Sequence, residues 1–173
     1  MVRRVEVRPY TESWVAEFIK EADKLVNIFG EEMIQVHHIG STAIEGLPAK
    51  PIIDLMPVVK SIHRVEDFHE EMEGVGYLAK GENGIPGRRY FEKGGDDRTH
   101  HVHMFEEGDE QIERHLAFRD YVRAHPEVKK EYGNVKEKLA QRFPYDIASY
   151  IEGKADLVSS IEKRALEWYR KNK

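Results

Sequence analysis

There is no cysteine in the chain. That absence removes disulfides, thiolate metal sites, iron–sulfur clusters and a cysteine nucleophile together, and it suits a cytoplasmic protein. No apolar run approaches the length of about eighteen residues that a membrane-spanning helix needs, so no membrane insertion is expected. The stretch from Met1 to Pro9 is charged and lacks the apolar centre of a secretory signal. Positive charge is not in excess either. With a formal net charge of -5 and a pI of about 6.0 the molecule offers no general attraction to a phosphate backbone, so nucleic acid is not expected as a partner. Internal repeats and low-complexity tracts are also missing.

What remains is 173 residues, 40% of them hydrophobic, enough for one core and short for two, which predicts a single domain over 1–173. Trp14, Phe18, Ala22, Leu25 and Phe29 fall three or four apart and predict a helix over Thr11–Phe29, closed by Gly30. Ile34–Ile39 predicts a short strand entering the loop that begins Gly40-Ser41-Thr42. Pro51–Val59 is apolar on both faces apart from Asp54, as expected of a central strand, with Pro57 marking a bulge or its end. A short helix follows through Val65, Phe68, Met72 and Val75. Arg88–Lys93 and Thr99–Phe105 read as a hairpin joined by Gly94-Gly95-Asp96-Asp97. Three helical patterns fill the remainder, around Ile112–Arg119, Val128–Leu139 and Ile147–Trp168, punctuated by Pro126 and Pro144. The fold class expected is α/β (α+β): a mixed sheet with flanking helices and a helical C-terminal third.

Two constellations carry chemistry. The first is the Gly40-Ser41-Thr42 turn with Lys50 and Asp54 downstream. A glycine lets a ligand approach the backbone, and a hydroxyl can bond a phosphate. A strand carboxylate can hold magnesium against phosphate oxygens, most effectively with a second acid two residues on. Here position 56 is methionine, which fills core and is a poor ligand for a hard cation. A second acid would have to come from elsewhere, Asp96 and Asp97 being the nearest candidates. The second constellation is His100, His101 and His103, in a chain of nine histidines. On a strand His101 and His103 share a face, and beside Asp54 they would form the two-imidazole, one-carboxylate set of a transition-metal site. Equally, each ring could be satisfied locally by packing and hydrogen bonds. His38 is expected to contribute from the side of the turn, with His37 left to solvent. Lys50 and Arg119 are the basic residues chosen as phosphate partners, ahead of Arg88 and Arg89. Tyr132, Tyr145 and Tyr150 are read as packing residues. A serine-hydrolase reading of Ser41, His103 and Asp54 lacks the Gly-x-Ser-x-Gly elbow.

The turn and the Asp54 strand together resemble the nucleotidyltransferase signature. The longer run Gly40-Ser41-Thr42-Ala43-Ile44-Glu45-Gly46-Leu47-Pro48-Ala49-Lys50-Pro51-Ile52-Ile53-Asp54 is similar in detail to the GrpB family. So are Thr99-His100-His101-Val102-His103-Met104-Phe105, His115-Leu116-Ala117-Phe118-Arg119-Asp120-Tyr121 and Ala124-His125-Pro126. The resemblance implies a nucleotidyltransferase-like fold, with related domains fused to dephospho-coenzyme A kinases. Three functions follow as expectations: metal-dependent nucleotidyl transfer, binding of a nucleotide or phosphorylated small molecule without turnover, or a mononuclear Asp54–His101–His103 metal site. The divalent metal would be magnesium or a transition metal.

Overall fold

The computed structural model describes residues 4–173. Five strands form one mixed sheet in the order β1-β2-β5-β4-β3, with β1 Met33–Ile39, β2 Ile53–Val59, β3 Tyr77–Ala79, β4 Arg89–Lys93 and β5 His100–Glu106. Only β2 and β5 run parallel; the other neighbours are antiparallel. The parallel pair sets Asp54 directly beside His101. The β4–β5 hairpin turns where Gly94 and Gly95 adopt positive φ, and a Cβ on Gly94 would lie 2.5 Å from the Asp97 carbonyl oxygen, so a side chain there has no room.

Strand parity divides the molecule into two layers. Ile53, Leu55 and Val59 of β2, Val102 and Met104 of β5 and Phe91 of β4 face α1, Ser13–Phe29, and bury its Trp14, Leu25 and Phe29. The opposite face carries Met56 and Phe105, which meet Ile112 and Leu116 of α3, Glu110–Ala124. A second core lies between α3, α4 (Pro126–Arg142) and α5 (Ile147–Lys171), around Ala117, Tyr121, Val128, Tyr132, Ile161 and Ala165. Asp54, His101 and His103 therefore look toward these C-terminal helices. Each helix begins on a recognisable device: the Asp109 carboxylate accepts from the Gln111 N–H, Pro126 occupies the first turn of α4, and Asp146 accepts from the Ser149 N–H.

Pro57 pairs with Val36, the register shifts just beyond it, between Met33 and Gln35 opposite Val59 and Val58, and β2 ends at Val59. A proline removes one donor only, and paired residues on both sides hold the strand through it. The helix expected over Val65–Val75 is a 3₁₀ segment, Ile62–Phe68, followed by the short α2, His69–Gly74. Tyr77–Ala79, too short to show alternation, forms edge strand β3.

Candidate phosphate and cation site

The turn after β1 is built around Asp54. Gly40 has φ +72, and a Cβ there would fall 2.6 Å from Asp54 Oδ2, so this position needs glycine for both conformation and space. Ser41–Ala43 then forms one 3₁₀ turn. Thr42 is buried, with its hydroxyl 2.9 Å from His38 Nε2, and the His38 ring stacks on Phe18 at 4.6 Å between centroids. Burial depresses the His38 pKa to about 4, with Arg123 and Arg119 adding to the shift and Asp54 opposing it. His38 thus braces the turn as a neutral ring, while His37 is half-buried beside it.

Asp54, His101 and His103 converge as one cluster whose ligand-type atoms lie within 4.8 Å of one another. Asp54 Oδ1 is 3.0 Å from His103 Nε2 and 3.4 Å from His101 Nδ1. Burial alone would raise the Asp54 pKa, but the His101 and His103 rings more than offset it, so the carboxyl is held well below its ordinary range. On their outer sides both rings meet arginines: His103 Nδ1 is 3.3 Å from Arg88 Nη1, and His101 Nε2 is 3.2 Å from Arg98 Nη1. Tyr90 packs against both rings at 5.3 and 5.7 Å. Met56 is fully buried with Ile39 and Phe105 and offers nothing to a cation. Asp96 and Asp97 line a different hollow. For a hard divalent cation, then, the residues present fit through Asp54 alone, and any further oxygen must come from the ligand.

Two hollows, of about 140 and 210 Å³, share Ser41, Asp54 and Lys154. The smaller is also lined by Thr42, Lys50, Lys136 and His101, so three lysines gather about a single carboxylate. Lys136 is only 2% exposed, has its ammonium nitrogen 4.9 Å from the centre of the Tyr132 ring, and forms no salt bridge among the described residues. Burial lowers its pKa well below the usual lysine value, helped by Lys154 and Lys50 and resisted by Asp54. Lys154 is likewise lowered by burial. The larger hollow adds Arg114, His115, Phe118, Tyr132, Val158 and Glu162, a more apolar lining. A third hollow, about 630 Å³, lies against the N-terminal segment and the hairpin turn and shares Lys50 and Ile52 with the smaller one. Its charges are mixed in sign, Arg4, Arg8 and Arg98 with Glu6, Glu17, Asp96 and Asp97.

Of the residues singled out by sequence, Gly40, Ser41, Thr42, Lys50, Asp54, His101 and His103 are brought together. Arg119 is not: it donates to Asp120 at 2.9 Å and to the His38 carbonyl at 3.1 Å, tying α3 to the end of β1. Lys136 and Lys154 were missed, although both stand on buried helical stripes, Val128-Tyr132-Lys136-Ala140 and Tyr150-Lys154-Ile161-Ala165, where a lysine is out of place.

The family model described as "GrpB protein" matches residues 4–164. This chain belongs to the GrpB family. Among its relatives, UPF0157 protein YqkA of Bacillus subtilis is 52% identical over 166 residues, covering 96% of this chain and 48% of YqkA, so the chain spans about half the length of that relative. A dephospho-CoA kinase of Mycolicibacterium paratuberculosis is 26% identical over 194 residues, 96% of this chain and 48% of the kinase. The crystal structure of GrpB from Enterococcus faecalis superposes with a TM-score of 0.92 at 43% identity, covering 95% and 99% of the two chains. The Cid1 poly(U) polymerase is similar at TM-score 0.53 and 13% identity over 79% of this chain and 43% of Cid1. That likeness concerns the fold alone, and it makes the GrpB fold nucleotidyltransferase-like. No helix among the described residues is long and apolar enough to cross a membrane.

Proposed function

We propose that this GrpB-family protein binds a nucleotide or closely similar phosphorylated small molecule in the cleft between the sheet and the C-terminal helices, and that it acts in the cytoplasm, where such ligands abound. One observation carries the reading: the buried Lys136 and the half-buried Lys154 line one cavity, in which Asp54 is the single carboxylate among the described residues. Burying like charges is unfavourable unless an anion completes them, and a chain of phosphates supplies several charged oxygens at that spacing. Ser41 offers a hydroxyl beside it, and Phe118, Tyr132 and Val158 in the adjoining hollow suit a base or another flat apolar group. A divalent cation held by Asp54 and the ligand's own phosphate oxygens would supply charge stabilisation for nucleotidyl transfer.

A second reading, a binding module without turnover, is favoured by the buried Met56 where a second acid would stand. Thermal-shift measurements on tag-free protein with a panel of nucleoside triphosphates, with and without magnesium, test the binding reading. A ligand at one hundred times its Kd raises stability by about 2.7 kcal/mol. No shift with any nucleotide at millimolar concentration refutes it. Release of pyrophosphate on adding an acceptor pool then separates transferase from binding module.

A further inference from the structure

We propose that Arg88 and Arg98 are positioning residues that fix His103 and His101 as N–H donors to Asp54 and thereby close this cluster to zinc and other nitrogen-preferring cations. Hydrogen-bond direction sets both tautomers, whichever ligand occupies the cleft. A guanidinium has only donors. Arg88 Nη1, 3.3 Å from His103 Nδ1, therefore requires a lone pair on Nδ1, which places that ring's proton on Nε2, the atom 3.0 Å from Asp54 Oδ1. Arg98 Nη1 does the same at His101 Nε2, 3.2 Å away, and leaves the proton on Nδ1, facing the same carboxylate oxygen at 3.4 Å. A doubly protonated ring would set N–H against N–H at either arginine.

A metal ion takes the lone pair of the nitrogen it binds, so a neutral ligating imidazole carries its proton on the other nitrogen and needs an acceptor there, ordinarily a carboxylate, carbonyl or water. Here both outer neighbours are donors. Nor is Arg88 free to withdraw: it is 7% exposed, donates to the Glu82 carbonyl at 3.1 Å and the Asn83 carbonyl at 2.7 Å, and lies 4.8 Å from the Tyr90 ring. Arg98 is held by Glu92 at 2.6 Å and by the Gly95 carbonyl at 3.0 Å. The two imidazoles thus both engage Oδ1, while Oδ2 packs against Gly40.

Zinc binding to tag-free apo protein tests this, measured by titration and elemental analysis. Wild type is expected to take up no stoichiometric zinc at micromolar concentration. The Arg88→Met/Arg98→Met protein should bind zinc at least about tenfold more tightly, the scale on which second-layer partners act on metal sites. Adding His101→Gln and His103→Gln should abolish that gain. Wild type that holds one zinc per chain in a manner lost with both histidines overturns the proposal, as does a folded arginine variant with no gain. Should the double variant fail to fold, long-range ¹H–¹⁵N correlations of the wild-type imidazoles read the tautomers directly. Protons on His103 Nε2 and His101 Nδ1 support the inference; protons on the opposite nitrogens refute it. Neither outcome depends on nucleotide binding.

Discussion

Replacing Lys136 by methionine should make the protein more stable while weakening its grip on phosphate. Methionine has nearly the same length and flexibility, so it can fill the 2%-exposed seat against Tyr132 without the amine. Leaving a polar group buried and unpaired costs about 1–3 kcal/mol in proteins. For a domain of this size that corresponds to a rise in Tm of about 3–8 °C. The effect has a pH signature. Because the folded pKa of Lys136 is depressed, the unfolded chain binds a proton that the folded one resists, at every pH below the ordinary lysine value of 10.5 and above the folded one. Wild type therefore gains stability as pH rises through this window, and the advantage of Lys136→Met shrinks toward pH 10.5. Denaturant melts of both proteins from pH 7 to 10 measure the difference. On the ligand side, losing one charge-assisted hydrogen bond should weaken phosphate binding by about 1.5–3 kcal/mol, or roughly 10- to 150-fold. A variant that is less stable than wild type at neutral pH, or a stability gap that does not change with pH, would refute the account of Lys136 as an uncompensated buried amine.

Gly40→Ala should cost about 1–3 kcal/mol from its φ of +72 and, by driving a methyl into Asp54 Oδ2, should remove ligand-induced stabilisation; an unchanged thermal shift contradicts the packing described. Burial holds His38 neutral to about pH 4, so acidification below 6.5 protonates the unfolded chain first and withdraws up to about 3 kcal/mol of stability, a slope that His38→Gln should lack in pH-dependent melts. Glu21 is buried, yet Lys93 and the Tyr77 hydroxyl, at 2.8 and 2.7 Å, hold its pKa below the ordinary value against the opposing effect of burial. Its contribution is present above the normal carboxylate range and lost on acidification. Glu21→Gln, which leaves Lys93 unpaired, should cost about 3 kcal/mol in urea unfolding at pH 7.

The elements with strong periodicity were legible in the sequence. The stripe Trp14-Phe18-Leu25-Phe29 predicted α1 almost to the residue, and strand parity placed His101 and His103 on one face. Their meeting with Asp54 depended on β2 and β5 being neighbours, which local pattern does not specify; the parallel pairing supplies it. Lys136 and Lys154 lie about 95 and 113 positions from the turn they serve, and only the irregularity of a lysine on a buried stripe announced them. Arg119 stands apart from the two hollows. Membership in a conspicuous run suggested a ligand contact, but a guanidinium on α3 reached the His38 carbonyl first. Hydrogen-bond direction at the imidazoles was beyond sequence altogether, because it is set by Arg88 and Arg98 from outside the strand they face.

The lysine-lined hollow also has a mechanical consequence. Its cations ride on α4 and α5, whereas Lys50 and the turn belong to the sheet, so seating the C-terminal helices drives like charges toward one another. Apolar contacts of Tyr132 and Ile161 oppose that repulsion in the empty protein. An anion in the cleft converts the repulsion into cohesion and works as a rivet between layers. The helical third is accordingly the part of the molecule expected to open first when no phosphate is present, and amide hydrogens of α4 and α5 should exchange sooner than those of β2 and β5, the gap closing as inorganic phosphate or pyrophosphate is added.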